Sequence, residues 1–370
     1  MKKNLSPLAI AKLSPRVFIL LTTLLILLSV TVTAFMQSPR PKPLKPNVPG
    51  KRIPTDKGTP EIAPIEGHPN AVTVTTYPFT SSSGVALEDM SSGTTLINIA
   101  NPDDGSSIIL SNIGFEFWYD GARFTQFGVN ANGFARLGAV PAGTDSWDNE
   151  SFFASTTNAP KIAPYYDDLF IGTNGKVHFK TVGSAPTRKL VVEWQNIQIP
   201  RAGFGEPGAA TFQMWLYETT GVIEFVYGNG MVVNGDGDSF GYSVGLQSGA
   251  ATNFASVTTA GPTISYSVAN NTQGDAIASG TKYTFTPPVP SAPTGLNFTS
   301  VTTTGMTLNW TDNSSNERGF VIYRSTDGAN YSFVTQAVAG TTSSAQSGLA
   351  PGTTYFWQVY AVTEGALSTA

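Results

Sequence analysis

Beyond residue 70, hydrophobic and polar residues alternate through most of this chain with a period of two, the rhythm of strands that bury one face. The pattern is strongest from Ala209 to Gly228. There Phe212, Met214 and Leu216 alternate with Gln213, Trp215 and Tyr217, and after Glu218 to Gly221 the residues Ile223, Phe225 and Tyr227 alternate with Val222, Glu224 and Val226. This predicts an antiparallel hairpin of two central strands, apolar enough to need a covering sheet. Runs of the same kind recur on either side: SIILSNIGFEFWYDG, FTQFGVNANGFARLG, KVHFKTVG, RKLVVEWQNIQI, FGYSVGLQ and TKYTFTPP. Asp120-Gly121 and Asn132-Gly133 supply the positive φ of tight hairpin turns. No helical period outlasts a turn or two, so residues 71–288 are expected to form a large antiparallel β-sandwich. Trp118, Trp194 and Trp215 sit inside alternating runs and are expected as core aromatics.

The first seventy residues follow other rules. Lys2, Lys3, Lys12 and Arg16 precede an apolar run from Val17 to Val32, and Val32-Thr33-Ala34 ends it with small residues at signal-peptidase spacing. Residues 1–36 are therefore a signal peptide or an uncleaved N-terminal membrane anchor with its basic end inside, the only segment expected to touch a membrane. Residues 37–70 form a linker in which proline recurs every few positions from Pro39 to Pro69, which excludes both helix and ladder.

Composition narrows the function classes. With 41% hydrophobic and only 12% charged residues among 370, the chain can bury real cores under a bland surface, as exported β proteins do. A net charge of -4 supplies no polyanion field, which sets nucleic-acid partners aside. The absence of cysteine removes disulfides, thiolate nucleophiles and thiolate zinc sites together.

Two resemblances enter on particular residues. The series GFEFWYDGARFTQFGVNANGFARLG, KIAPYYDDLF, GKVHFK, RKLVVEWQNI and the hairpin, from Ile108 to Tyr227, resembles the nidogen-type extracellular module and β domains of secreted bacterial surface proteins. The animal module sits among cysteine-rich domains and this chain has none, so its partners do not carry over. Residues 289–370, from SAPTGLNFTSVTTTGMTLNWTDN to LAPGTTYFWQVYAV, are similar to a fibronectin type III domain. The resemblance implies that Trp310 fills the space between two sheets and that Tyr355 is the corner tyrosine bonding back to the backbone. Leu308 and Trp310 alternate on one strand and Val321 and Tyr323 on the next. The last strand of that fold is expected to be incomplete, since only EGALSTA follows Val362 and Thr363. No Arg-Gly-Asp tripeptide is present, and the sequons at Asn297 and Asn309 matter only where exports are glycosylated.

Candidate chemistry is sparse. Gly241-Tyr242-Ser243-Val244-Gly245 spells a nucleophile elbow, but no helix follows it, and the two histidines are His68 in the linker and His178 in a strand; Ser243 is expected as a strand serine. Gly203, Gly205 and Gly208 spell a dinucleotide fingerprint without the helix that would receive a phosphate. Asn234, Asp236 and Asp238 place oxygens at alternate loop positions, as the first ligands of a calcium loop do, although Ser239 and Gly245 stand where that pattern needs Gly and Glu. Asp167 and Asp168 are a second acidic pair, able to share calcium with Asp103 or Asp104 if the loops converge. No catalytic residue and no cofactor is assigned beyond that weak calcium. The sequence thus points to an exported, non-catalytic cell-surface or extracellular adhesion protein whose partner is an extracellular protein or glycan. The alternative is the accessory region of a larger secreted hydrolase with its catalytic domain beyond Ala370.

Overall fold

The computed structural model describes residues 74–141, 153, 155–199, 208–231 and 241–370. The apolar run Val17 to Val32, the Pro-rich linker and the loop carrying Asn234, Asp236 and Asp238 lie outside them. Among the described residues no helix is long and apolar enough to cross a membrane.

The chain is all-β. In the first domain the strands are β1 (Phe79–Ser82), β2 (Thr95–Leu96), β3 (Ser111–Tyr119), β4 (Ala122–Val129), β5 (Ala135–Leu137), β6 (Lys161–Tyr166) and β7 (Phe170–Val182). They continue with β8 (Lys189–Gln198), β9 (Ala210–Tyr217), β10 (Ile223–Tyr227), β11 (Ser243–Gln247), β12 (Phe254–Thr258), β13 (Thr263–Ser265) and β14 (Lys282–Phe285). One antiparallel sheet runs β1-β14-β10-β9-β8-β7-β2, the other β13-β12-β11-β6-β5-β4-β3. The β9–β10 hairpin lies in the middle of the first sheet, with Leu216 opposite Ile223, Met214 opposite Phe225 and Phe212 opposite Tyr227. Period-two burial explains its place: Phe212, Met214, Leu216, Ile223, Phe225 and Tyr227 all turn into the core between the sheets. Trp194 on β8 stacks on Phe212 with ring centroids 5.3 Å apart.

The outer face of that sheet is covered as well. Residues 85–90 cross it as a strap, where Val85, Leu87 and Met90 pack on Val191, Trp215 and Val226. The Gln213 side-chain amide pins the strap by accepting from Glu88 N at 2.9 Å and donating to Glu88 O at 2.9 Å. Trp215 is therefore buried beneath the strap rather than between the sheets, with Lys189 Nζ 3.5 Å from its ring centroid.

The second domain contains β15 (Thr294–Thr299), β16 (Gly305–Thr311), β17 (Gly319–Ser325), β18 (Ser332–Val338), β19 (Ser343–Ser347) and β20 (Phe356–Val362), in sheets β15-β16-β19 and β18-β17-β20. Leu308, Trp310, Phe320, Ile322, Trp357 and Val359 fill the space between them. Tyr355 Oη accepts a hydrogen bond from Ala350 N at 2.9 Å, the corner expected from the sequence. Thr363 to Ala366 then reverse the chain, and Leu367 pairs back with Val362. Val321 and Tyr323 differ from the simple alternation: they face away from this core and meet the first domain.

That junction is extensive. Trp118 of β3 packs with Val321 and Val362, and Arg123 lies 4.5 Å over the Phe333 ring. The β3–β4 turn is gripped at both backbone groups, Gly121 N donating to Glu364 O at 3.0 Å and Gln336 Nε2 donating to Gly121 O at 3.0 Å. Gly121 has φ +71°, and a Cβ there would stand 2.9 Å from Arg318 Cβ, so the turn needs glycine twice over. Tyr323 Oη bonds Glu116, and the β9–β10 turn reaches the second domain through Thr219 O, which accepts from Leu367 N.

Candidate functional site

The turns that dock on the second domain, β3–β4 and β9–β10, lie at one end of the first sandwich. Antiparallel pairing puts the opposite ends of the same strands together at the far end: the start of β7, the end of β8, the start of β9 and the end of β10. Asn174 fixes part of that end by exchanging two hydrogen bonds with Gly208, at 3.0 and 2.8 Å. Thr211 N donates to Asn229 O at 3.1 Å, so the loops entered at Gly208 and Asn229 spring from one place. Residues 200–207 and 232–240 of those loops lie outside the described residues, and Asn234, Asp236 and Asp238 with them.

At the same end, buried asparagines assemble an acidic site. The Asn132-Gly133 turn joins β4 to β5, with Gly133 at φ +85° and a position where any Cβ would meet Tyr165 O. Asn130 closes this turn by accepting from Asn132 N at 2.7 Å, while its amide donates to Ser106 Oγ at 3.1 Å. Trp194 Nε1 caps Asn130 O at 3.0 Å, tying the turn to the core. Asn132 then bridges two loops, donating from Nδ2 to Asp104 Oδ1 at 3.2 Å and accepting Leu169 N on Oδ1 at 3.0 Å. Both asparagines are fully buried, so each satisfied bond fixes where the loops sit.

The result brings together Asp103, Asp104 and Asp168, half-buried, with carboxylate oxygens all within 4.8 Å of one another. Such a spacing suits a hard divalent cation taken up by oxygen ligands. The loops of Asp103, Asp104 and Asp168 converge, as calcium sharing would need. Asp167 does not join them; it is buried, and its Oδ1 accepts Asp168 N at 2.8 Å.

The remaining sequence candidates are structural. Ser243 is a fully buried residue of β11 whose Oγ donates to Asn271 Oδ1 at 3.1 Å, in a strand and not a strand-to-helix elbow. His178 Nε2 lies 2.7 Å from Glu193 Oε2 on the strap-covered face of the other sheet. Gly208 is a loop residue, and the rest of its glycine pattern lies outside the described residues. The domain junction was missed in the sequence, although GFVIY at 319–323 reads as apolar on both faces, the mark of a strand covered on both sides.

A search of curated proteins found no match. Among solved structures the chain is similar to a fibronectin type III domain of human collagen XX, at 25% identity over 21% of this chain and 81% of that one, TM-score 0.19. It is also similar to a two-domain fibronectin type III segment of chicken tenascin, at 14% identity over 51% and 92%, TM-score 0.20, and to three such domains of chicken CNTN1, at 13% over 53% and 84%, TM-score 0.23. The family models are more specific: a fibronectin type III model matches residues 291–370, and a NIDO-related model matches residues 76–287. With more than half its length in that second match, the chain belongs to the NIDO-related family and carries a fibronectin type III domain behind the family's module.

Proposed function

We propose that this chain works outside the cell as a non-catalytic interaction protein, binding an extracellular protein or glycan through the loops at the far end of its first sandwich. The observation that carries the reading is the tandem of a NIDO-related and a fibronectin type III domain, modules typical of extracellular interaction and spacing, behind an N-terminal apolar run. Loops on a rigid sheet scaffold are where binding residues collect, and the far end is the one the second domain leaves open. In this reading Val17 to Val32 directs export, as a cleaved signal or a retained anchor, and the Pro-rich stretch to Pro69 spaces the folded part from it.

Protease treatment of intact cells, followed by N-terminal sequencing of the released fraction, tests export. The expected result is a chain degraded from outside or secreted, starting at Phe35 if the signal is removed. A soluble cytoplasmic product retaining Met1 would overturn the reading.

A further inference from the structure

Among the described residues, the domain junction gathers two carboxylates near one guanidinium. Glu364, in the turn after β20, has no exposed surface. Thr76 and Arg318 are its polar neighbours, yet neither carboxylate oxygen receives a hydrogen bond of ordinary geometry. Asp120, in the β3–β4 turn of the other domain, lies 3.4 Å from Arg318 Nη2. Tyr77, which precedes β1, and Tyr119 of β3 add two buried hydroxyls to the same cluster, Tyr77 Oη standing against Gly365. The other charged groups of the junction are engaged elsewhere: Glu116 with Arg123 and Tyr323, and Glu317 with Gly340 N. Asp120 is half-buried and also has the side chains of Ser248 and Asn253 beside it, so of the two carboxylates near this guanidinium Glu364 is the fully buried one without an ordinary hydrogen bond, and such a buried charge is costly.

We propose that this cluster is an acid-strengthened latch: Glu364 and Asp120 share the single guanidinium of Arg318, and uptake of one proton by the pair tightens the docking of the second domain on the first. Burial pushes the Glu364 carboxyl up, against the weaker pull of Thr76 and Arg318, and it pushes Asp120 up too, against Arg318 and the side chains of Ser248 and Asn253. A carboxyl raised in the docked state holds its proton more tightly there than in the separated or unfolded chain. Docking therefore strengthens as the pH falls from neutral through the raised range toward the ordinary carboxylate range, and weakens on the way back.

The test uses the full chain in detergent micelles, comparing wild type with Glu364→Gln, whose amide is the isostere of the protonated acid. At pH 7.5 calorimetry is expected to find the variant melting about 2–4 °C above wild type, with the gap closing as the pH falls through the raised range toward that of an ordinary carboxylate. Asp120→Asn is expected to shift the melt in the same direction. Hydrogen exchange reads docking itself: the Gly121 amide, bonded to Glu364 O across the junction, should gain protection in Glu364→Gln at pH 7.5, after correction for the intrinsic rate. A gap that is negative, absent or independent of pH would overturn the latch. So would failure of Glu364→Gln to fold, since that would mean the junction needs the charge, and so would Gly121 protection unchanged by the substitution.

Discussion

Gly121→Ala is the sharpest probe of whether the two domains are welded or merely adjacent. Two costs separate at this position. The first is local: an L-residue at φ +71° costs about 1 to 2 kcal/mol relative to glycine. The second belongs to docking: the new methyl would stand 2.9 Å from Arg318 Cβ and 3.0 Å from its Cγ, so the arginine or the turn must move. Movement endangers the Gly121 N to Glu364 O and Gln336 Nε2 to Gly121 O bonds, each 3.0 Å long and worth roughly 0.5 to 1.5 kcal/mol. Gly93 supplies the control, since it has φ +69° and nothing within 4 Å of its Cβ position. Gly93→Ala should thus lose about 1 to 2 kcal/mol, and Gly121→Ala about 2 to 5 kcal/mol in total. Urea unfolding followed by tryptophan fluorescence measures both, and Gly121→Ala should also split the melt into two transitions as the domains uncouple. Equal losses in the two variants, with a single transition retained, would refute a welded junction.

Trp310→Ala should destabilise the second domain by about 3 to 5 kcal/mol, because it empties an aromatic site packed on Phe320 between two sheets; a near-wild-type urea melt would refute that assignment. Arg188 hydrogen-bonds Glu218 through Nε at 2.8 Å and Nη2 at 2.5 Å, which holds the Glu218 carboxyl below its ordinary value. Its contribution is present above the unfolded carboxylate range and lost as the pH falls through the lowered one, so Arg188→Met should melt below wild type at neutral pH and converge with it in strong acid. Asp103, Asp104 and Asp168 repel one another when ionised. Asp168→Asn should accordingly raise the melting temperature in chelator and blunt any rise produced by millimolar calcium, and identical melts of both proteins in both solutions would reduce the cluster to a solvated turn.

Alternation along the chain was enough to place the central hairpin, because Phe212, Met214, Leu216, Ile223, Phe225 and Tyr227 repeat with the strand period and every one of them is buried. Trp310 and Tyr355 were legible for another reason: their roles are set by neighbours close in the chain and by a fold with fixed geometry. Trp215 shows where period stops helping. It falls in the same phase as Gln213 and Tyr217, opposite the inward-facing Met214 and Leu216, and only the long-range arrival of residues 85–90 buries it beneath a strap. Val321 and Tyr323 fail in the same way, since a single sequence says which face is apolar and not what covers it. The acidic site lay between these cases. Its residues could be named, but which of Asp167 and Asp168 turned outward depended on Asn132 receiving Leu169 N across 37 positions of sequence.

The chain enters the first domain at Val74 and Tyr77, beside Gly365, at the end opposite the acidic loops. Tension between that entry and a ligand held at the far loops would run along the strands. The first ladder to bear it is β1 on β14, where Phe79, Thr80, Ser81 and Ser82 pair with Phe285, Thr284, Tyr283 and Lys282. Load parallel to an antiparallel ladder strains all its rungs together, whereas load across it opens them one at a time. A pull along the strands from that entry would therefore load the β1–β14 ladder in shear.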